Sequence, residues 1–194
     1  MAFSIEKLSE HLRCVSDEQD ANASVALLLK VEGERLCVLF VRRVQNSRDP
    51  WAGQIALPGG KREANDKDLK ETIVRETLEE TNIDLLNHCR FLGVMSTFQS
   101  KPKPEIRVLP FVIIIEIEPS IRLSEKELEE YFWIPLEELV RNRTTAKFSF
   151  GEVPAFIVRG NVIWGLTYRI VENFMRFLET GTSSGNGAPT QCKG

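Results

Sequence analysis

The stretch that decides the fold reads Leu57-Pro58-Gly59-Gly60 and, after a polar loop, Arg75-Glu76-Thr77-Leu78-Glu79-Glu80. Residues three and four apart are neighbours on a helix, so we expect Glu76, Glu79 and Glu80 to converge on one side. Like charges at this spacing repel by roughly 0.2–0.5 kcal/mol per pair. Arg75 is placed to relieve them, and a bound cation would relieve them better. A glycine turn beside clustered carboxylates is the combination that metal-assisted cleavage of a diphosphate requires.

The alternative interpretation of these acidic residues is an ordinary solvated helix face. Against it, Leu69 and Ile73 are predicted on the same side as Glu76 and Glu80, so the carboxylates border apolar surface. Charges at such a border need partners. Ligand sets made only of oxygen select hard divalent ions, which favours Mg²⁺ or Mn²⁺ over zinc.

The same stretch resembles the Nudix box, which runs from a glycine through a short acidic loop to Arg-Glu-x-x-Glu-Glu. The matching residues are Gly60, Arg75, Glu76, Glu79, Glu80 and Ile83. Arg75 lies one residue further from Gly60 than in the commonest form, and Asn82 stands where glycine is usual. Asparagine is the second choice for the left-handed conformation that ends a helix, so the turn is expected to form. The first acidic position holds Asp66 in place of glutamate, and Asp66 is not assigned as a ligand.

An arginine-rich stretch upstream is similar to the motif of one subgroup, the coenzyme A pyrophosphatases. Arg43, Arg48 and Gly53 match that motif in order. Val44 replaces a usual serine, Leu57 replaces a usual phenylalanine, and one extra residue separates Arg48 from Gly53. Downstream, the similarity continues through Val108–Val112, Glu127 with Trp133, and Ile163–Thr167. The resemblance therefore covers about residues 22–178.

The resemblance implies an α/β fold, a Nudix-type α/β/α sandwich with a mixed β-sheet. It also implies a metal-dependent hydrolase that cleaves coenzyme A or its derivatives to 3′,5′-ADP and 4′-(acyl)phosphopantetheine. Two alternatives stay open. One is the same chemistry on another nucleoside diphosphate derivative, such as ADP-ribose, a dinucleotide or a nucleoside triphosphate. The other is a non-catalytic nucleotide-binding module, which a lost glutamate would mark; all three glutamates are present.

The resemblance assigns roles to the acidic residues. Glu76 and Glu80 would hold Mg²⁺ or Mn²⁺, and Glu79 would be a third ligand or the base that orients water. Arg75 would orient the carboxylates. Glu127 would supply a further ligand or base from across the cleft, although its acidic neighbours favour a solvated segment nearly as well.

The predicted substrate contacts come from arginines and glycines. Arg43 and Arg48 would bind phosphates in bidentate fashion, with surface arginines at a sheet edge as an equal alternative. Gly59 and Gly60 would let the backbone approach a phosphate, and the alternative is a plain tight turn.

The remaining patterns predict the order of the elements and three parts of the chain. The elements are a hairpin over Ala23–Lys30 and Leu36–Arg42, a helix capped by Asp66 or Asp68 and running through Thr81, strands at Phe91–Phe98 and Ile106–Ile117, a helix from Pro135 to Val140, and a helix over Gly165–Leu178. Ser100–Pro104 is predicted to be a stiff basic loop. Residues 1–20 are predicted to form an N-terminal helical extension and residues 21–179 the hydrolase domain. Residues 180–194 are predicted to be a disordered tail, because they would bury too little apolar surface to offset the entropy lost on ordering.

Composition agrees with a single soluble enzyme domain of 194 residues, 42% of them hydrophobic. A net charge of −3 does not favour binding to nucleic acid, which relies on positively charged surface. The expected partner is therefore a small nucleotide substrate. The longest apolar run, Val108–Ile115, is far shorter than the roughly 20 residues of a membrane span. We therefore expect no membrane association and a cytoplasmic protein, with a homodimer left open. The four cysteines are scattered, which favours reduced thiols.

Overall fold

The computed structural model describes Leu8 and residues 12–15, 20–46 and 51–181. The strands are β1 (Ala23–Glu32), β2 (Arg35–Arg43), β3 (Ile55–Ala56), β4 (Gly59–Lys61), β5 (Cys89–Val94), β6 (Phe98–Gln99), β7 (Arg107–Ile115), β8 (Leu128–Pro135), β9 (Arg143–Phe148), β10 (Gly151–Val158) and β11 (Asn161–Trp164). The helices are α1 (Leu69–Thr81), α2 (Leu85–His88), α3 (Leu136–Arg141) and α4 (Gly165–Gly181). Arg48, most of the predicted N-terminal helix and the predicted tail beyond residue 181 lie outside the described residues.

The main sheet has eight strands, with β3-β2-β1-β7-β5 as its central path. β4 also pairs with β1, β6 with β7, and β8 with β2. β1 and β7 run parallel while the other pairs run antiparallel, so the predicted mixed sheet is confirmed. The predicted hairpin is also confirmed, because β1 and β2 pair antiparallel with Leu29 opposite Val38.

Helices cover both faces of the main sheet. Side chains alternate along a strand, so Leu28 of β1 packs with Leu69 and Ile73 of α1. Its neighbour Leu27 points the other way, into a cluster that includes Phe174 of α4. A second sheet, of order β11-β10-β9, lies on the α4 side. This layering confirms the α/β/α sandwich.

The boundaries of α1 follow from its caps. The Asp68 carboxylate accepts a hydrogen bond from the Glu71 N–H at 2.7 Å, which satisfies one free donor of the first turn. At the other end Asn82 has φ 61°, and its N–H donates to the Leu78 carbonyl. Both the helix and the left-handed asparagine are confirmed.

Six strands, β3, β4 and β8 to β11, were not predicted from the sequence. β8 carries exposed Glu129 and Glu130 and has no clean alternation of buried and exposed residues, so the usual signal of a strand is missing. The predicted strand over Phe91–Phe98 is divided into β5 and β6. α4 extends three residues beyond the predicted end at Leu178.

The cysteines differ in state. Burial raises the pKa of the free thiol of Cys37 to about 11 and that of Cys89 to about 12, which makes both poor nucleophiles. Cys14 is disulfide-bonded, so the prediction of reduced thiols is wrong for that residue. Over the described ranges, we find no helix with the length and apolar character needed to cross a membrane.

Candidate active site

Glu80 is the buried centre of the site, with 2% of its surface exposed. Its Oε2 accepts a 2.8 Å hydrogen bond from the Gly59 N–H, and its Oε1 lies 4.0 Å from Arg43 Nη1. Burial raises the pKa of Glu80 to about 8, with the Gly59 hydrogen bond opposing the shift. A carboxylate in this environment gains from a nearby cation.

Glu76 lies one turn earlier on α1, against Gly60. A Cβ built on Gly60 would come 2.4 Å from the Glu76 carboxyl carbon, so any larger residue would displace this carboxylate. Gly59 has φ +140°, and a Cβ there would lie 2.2 Å from the Ser24 carbonyl oxygen. Gly59 thus binds the Glu80 carboxylate and Gly60 leaves space for the Glu76 carboxylate. Contact of either glycine with a phosphate stays a prediction.

Arg75 forms hydrogen bonds with three acidic side chains. Its Nη1 lies 3.0 Å from Glu76 and 3.2 Å from Glu79, whereas Nε and Nη2 donate to the two carboxylate oxygens of Asp66 at 3.1 and 2.9 Å. Arg75 thus lies beside Glu76 and Glu79, as the sequence predicts. Among Glu76, Glu79 and Glu80, Glu79 has the most exposed side chain.

Asp66 acts as the anchor of Arg75, which the sequence did not indicate. Besides the two bonds to Arg75, its carboxylate accepts from the Thr72 hydroxyl at 3.0 Å and the Glu63 N–H at 2.9 Å. The Arg75 guanidinium and these donors hold the pKa of Asp66 well below its usual range. The signal available in the sequence was its place at the first acidic position of the box.

Glu127 comes close to α1 through the loop that precedes β8. The Ser124 N–H donates to the Glu80 carbonyl, and the Glu127 N–H donates to the Ser124 carbonyl, both at 2.9 Å. The charge of Glu127 contributes to raising the pKa of both Glu76 and Glu80, after burial as the main cause. The structure therefore brings Glu127 to the same cluster from a separate element.

The donor set fits a hard divalent cation in its chemistry, because it consists of carboxylate oxygens, one of them buried. Among the described residues, however, no three Asp, Glu, His or Cys side chains are gathered closely enough to hold one ion. Arg75 is the partner that Glu76 and Glu79 have in this arrangement.

Arg43 occupies the end of β2 next to Glu80. The pairing of β2 with β8 is irregular between Arg42 and Arg43. The Gly53 N–H donates to the Arg43 carbonyl and the Arg43 N–H donates to the Gln54 carbonyl, both at 3.1 Å. The upstream motif thus lies beside the carboxylates, while Arg48 lies outside the described residues.

Sequence reasoning missed a cavity of about 370 Å³ that borders Gly53 and Gln54. Arg42, Phe148 and Trp164 also line it. The ring centroids of Phe148 and Trp164 are 4.6 Å apart. Its walls come from β2 and from the second sheet, which no local pattern connects.

A family model described as the NUDIX domain matches residues 20–154, which include the whole box. The chain is 32% identical over 138 residues to the peroxisomal coenzyme A diphosphatase ndx-8 of Caenorhabditis elegans, a match that covers 70% of this chain and 56% of that one. It is 25% identical over 181 residues to the mitochondrial coenzyme A diphosphatase NUDT8 of Homo sapiens, covering 89% and 76%. A Schizosaccharomyces pombe protein, C14C4.10c, is 39% identical over 108 residues, which cover 53% of this chain and 33% of that one.

Solved structures agree on the fold. The Nudix hydrolase RenU of M. Smegmatis superposes with a TM-score of 0.57 at 11% identity, covering 91% of this chain and 97% of that one. A C. elegans Ap4A hydrolase binary complex superposes with a TM-score of 0.55 at 17% identity, covering 81% of this chain and 98% of that one. Together with the match of the family model and the geometry of the box, these likenesses lead to one conclusion: the chain belongs to the Nudix family.

Proposed function

We propose that this protein is a metal-dependent diphosphatase that hydrolyses coenzyme A or its derivatives to 3′,5′-ADP and 4′-(acyl)phosphopantetheine. The observation that carries the proposal is the buried Glu80 carboxylate beside Glu76, Glu127 and Arg43. The names of the C. elegans and human relatives support the substrate class. The chain spans 56% of the length of the first of these, so the substrate is a proposal.

The acidic residues would act as follows. Glu76 and Glu80 supply oxygen ligands for Mg²⁺ or Mn²⁺, and Glu79 is a third ligand or the base that orients the attacking water. Arg75 positions Glu76 and Glu79 and is itself held by Asp66. The bound cation would neutralise charge on the diphosphate oxygens and lower the pKa of its water.

The remaining residues would bind substrate or assist from outside α1. Glu127 is a further ligand or base, and Arg43 binds a phosphate oxygen on the side of Glu80. Arg48 has the same role on the strength of the sequence motif. Gly59 and Gly60 would present backbone to the diphosphate in addition to seating the carboxylates.

A second candidate is the same reaction on another nucleoside diphosphate derivative, such as ADP-ribose, a dinucleotide or a nucleoside triphosphate. Two observations favour keeping it: the upstream motif carries an extra residue before Gly53, and the cavity lined by Phe148 and Trp164 suits any planar base. A non-catalytic binding module has less support, because Glu76, Glu79 and Glu80 are all retained.

The deciding experiment is a hydrolysis panel over coenzyme A, acyl-coenzyme A, ADP-ribose, dinucleotides and nucleoside triphosphates, with Mg²⁺ or Mn²⁺ and product masses measured. We expect 3′,5′-ADP and 4′-phosphopantetheine from coenzyme A, and loss of activity in EDTA. Faster cleavage of ADP-ribose than of coenzyme A would favour the second candidate. Nucleotide binding without any hydrolysis would favour the binding module.

We further propose residues 21–179 as the catalytic unit. The cytoplasmic location stays a prediction, since the names of the two relatives place one in peroxisomes and the other in mitochondria. A homodimer also stays a prediction, which light scattering of the purified chain would test.

A further inference from the structure

The basic loop Ser100–Pro104 joins β6 to β7 and is supported by three hydrogen bonds. The Ser100 N–H donates to the Ile106 carbonyl, and the Ile106 N–H donates to the Lys103 carbonyl, both at 2.9 Å. The Gln99 side chain donates to the Pro104 carbonyl at 2.8 Å. Two prolines restrict the backbone further. The loop therefore presents its lysines from a fixed support.

Lys103 is positioned by an aromatic ring. Its Nζ lies 4.8 Å from the centroid of the Trp51 ring, a cation–π contact. Trp51 in turn packs against buried Ala23 and Ile106, where β1 and β7 begin. A lysine side chain is normally flexible, so the ring limits where this ammonium group can be.

Strand pairing puts the basic loop at the same end of the main sheet as β4, whose glycines contact the carboxylates. Ala23 of β1 pairs with Lys61 of β4 on one side and with Val108 of β7 on the other. Neighbouring strands are about 4.8 Å apart, so roughly 10 Å separates the backbones of β4 and β7. Gly60 of β4 is the residue that touches Glu76.

The chain connects Trp51 to the site as well. Trp51 accepts a hydrogen bond from the Gln54 N–H through its carbonyl, and Gln54 is the residue whose carbonyl bonds Arg43. The Arg43 guanidinium faces Glu80. A series of four contacts therefore links Lys103 to Glu80 through Trp51, Gln54 and Arg43.

The surroundings of the loop are cationic in a chain whose net charge is −3. Within the described part of the chain, neither Lys61 nor Lys101 forms an ion pair, and both are exposed. Arg169 of α4 donates to the Gln99 carbonyl at the base of the loop. The nearby acid Glu105 is exposed and binds Asn22 only through its backbone carbonyl. An anionic ligand would complete this surface.

We propose that Lys103, supported by Trp51 and assisted by Lys101, forms a subsite for a phosphomonoester that the substrate carries outside its diphosphate. The 3′-phosphate on the ribose of coenzyme A has this chemistry. The subsite rests on the proposed function, because it deepens the substrate choice of the same active site. Lys103 donates hydrogen bonds to the phosphate oxygens, and the ring of Trp51 keeps the ammonium group in reach.

The direct test compares binding of 3′,5′-ADP and 5′-AMP to the full chain by calorimetry in Mg²⁺. We expect the wild type to bind 3′,5′-ADP about tenfold more tightly than 5′-AMP. In K103A this affinity ratio should fall by about fivefold, which is the scale of one phosphate contact. K147A removes an exposed lysine of β9 and should keep the preference. A wild type that binds both nucleotides equally, or a preference that survives in the K101A/K103A double variant, would overturn the subsite.

The kinetic test compares kcat/KM for coenzyme A and dephospho-coenzyme A. K103A should lower the ratio of the two values by about fivefold, mainly through the KM for coenzyme A. W51A should do the same, while W51F keeps a ring and restores most of the ratio. Equal losses on both substrates would contradict the subsite. If the wild type cleaves only ADP-ribose, the proposed substrate fails, and the binding comparison still decides the subsite.

Discussion

The two faces of the main sheet are built by different means. On the α1 face, polar side chains such as Asp66, Thr72 and Glu80 are buried next to Ile73. On the α4 face, the cluster around Phe174 is apolar, and the buried Glu172 of α4 is paired with Arg143. The α1 face therefore combines an apolar cluster with buried, hydrogen-bonded polar side chains, whereas the α4 face is mainly apolar.

This difference separates the requirements of chemistry from those of stability. A buried carboxylate loses solvation and needs specific partners, as Glu80 has in Gly59 and Arg43. An apolar cluster contributes free energy roughly in proportion to the area removed from water and tolerates exchanges of similar volume. Variants on the two faces should therefore affect different measurements.

The largest expected effect is on turnover. Glu80→Gln should lower kcat by about a thousandfold, roughly 4 kcal/mol, because it removes a ligand charge without changing the shape of the side chain. The free energy of unfolding should change little, since the amide keeps an acceptor for the Gly59 N–H. Hydrolysis rates with Mg²⁺ and a urea titration measure the two quantities.

Glu137→Gln is the matched control, because Glu137 is exposed on α3. It should retain full turnover. If E80Q hydrolyses every diphosphate as fast as the wild type, the assigned metal site is wrong.

The next effect is on the stability of the other face. Phe174→Ala should lower the free energy of unfolding by about 3–5 kcal/mol, because Phe174 is fully buried and its loss leaves a cavity. Phe150→Ala removes a ring that is 66% exposed and should cost about 1 kcal/mol or less. Urea denaturation followed by circular dichroism compares the two, and similar losses would contradict the packing assigned to α4.

Asp66→Asn, on the α1 face, should lower both the stability and the activity of the protein. It removes the charge that holds Arg75, so we expect a loss of about 1–3 kcal/mol of stability and a tenfold to hundredfold fall in activity. Since the folded pKa of Asp66 is lowered from 3.8, its contribution is present above that value and is lost as the pH falls through the folded pKa. The difference between wild type and variant should therefore shrink below pH 4.

Asp20→Asn is the control for this prediction, since Asp20 pairs with Arg107 on the surface. It should change stability by about 0.5 kcal/mol or less. An Asp66→Asn difference that stays constant from pH 7 to pH 2.5 would show that the ionised carboxylate is not the source.

The smallest expected effect is that of shortening the chain. A chain ending at Glu179 should keep its melting temperature and activity under reducing conditions, because small polar residues such as those beyond Gly181 bury little apolar area. Differential scanning fluorimetry and the hydrolysis assay check this. A large loss of either would show that the removed residues dock on the domain.

Local patterns were sufficient for the parts of the fold that depend on neighbours in sequence. The caps Asp68 and Asn82 delimit α1, and the hairpin of β1 and β2 follows from two apolar runs around Gly33. Strand β8 and the second sheet were missed because their strands are short or carry exposed charges, so pairing across the chain decides them.

The sequence by itself determined the box, the helix that presents Glu76, Glu79 and Glu80, and the oxygen chemistry of the site, because these depend on spacing along one helix. Only the tertiary structure decided which carboxylate is buried, how Asp66 anchors Arg75 and how Lys103 meets Trp51. Burial and ion pairing depend on elements distant in sequence. Their energies come from removing groups from water, which a pattern of residues along one element does not specify.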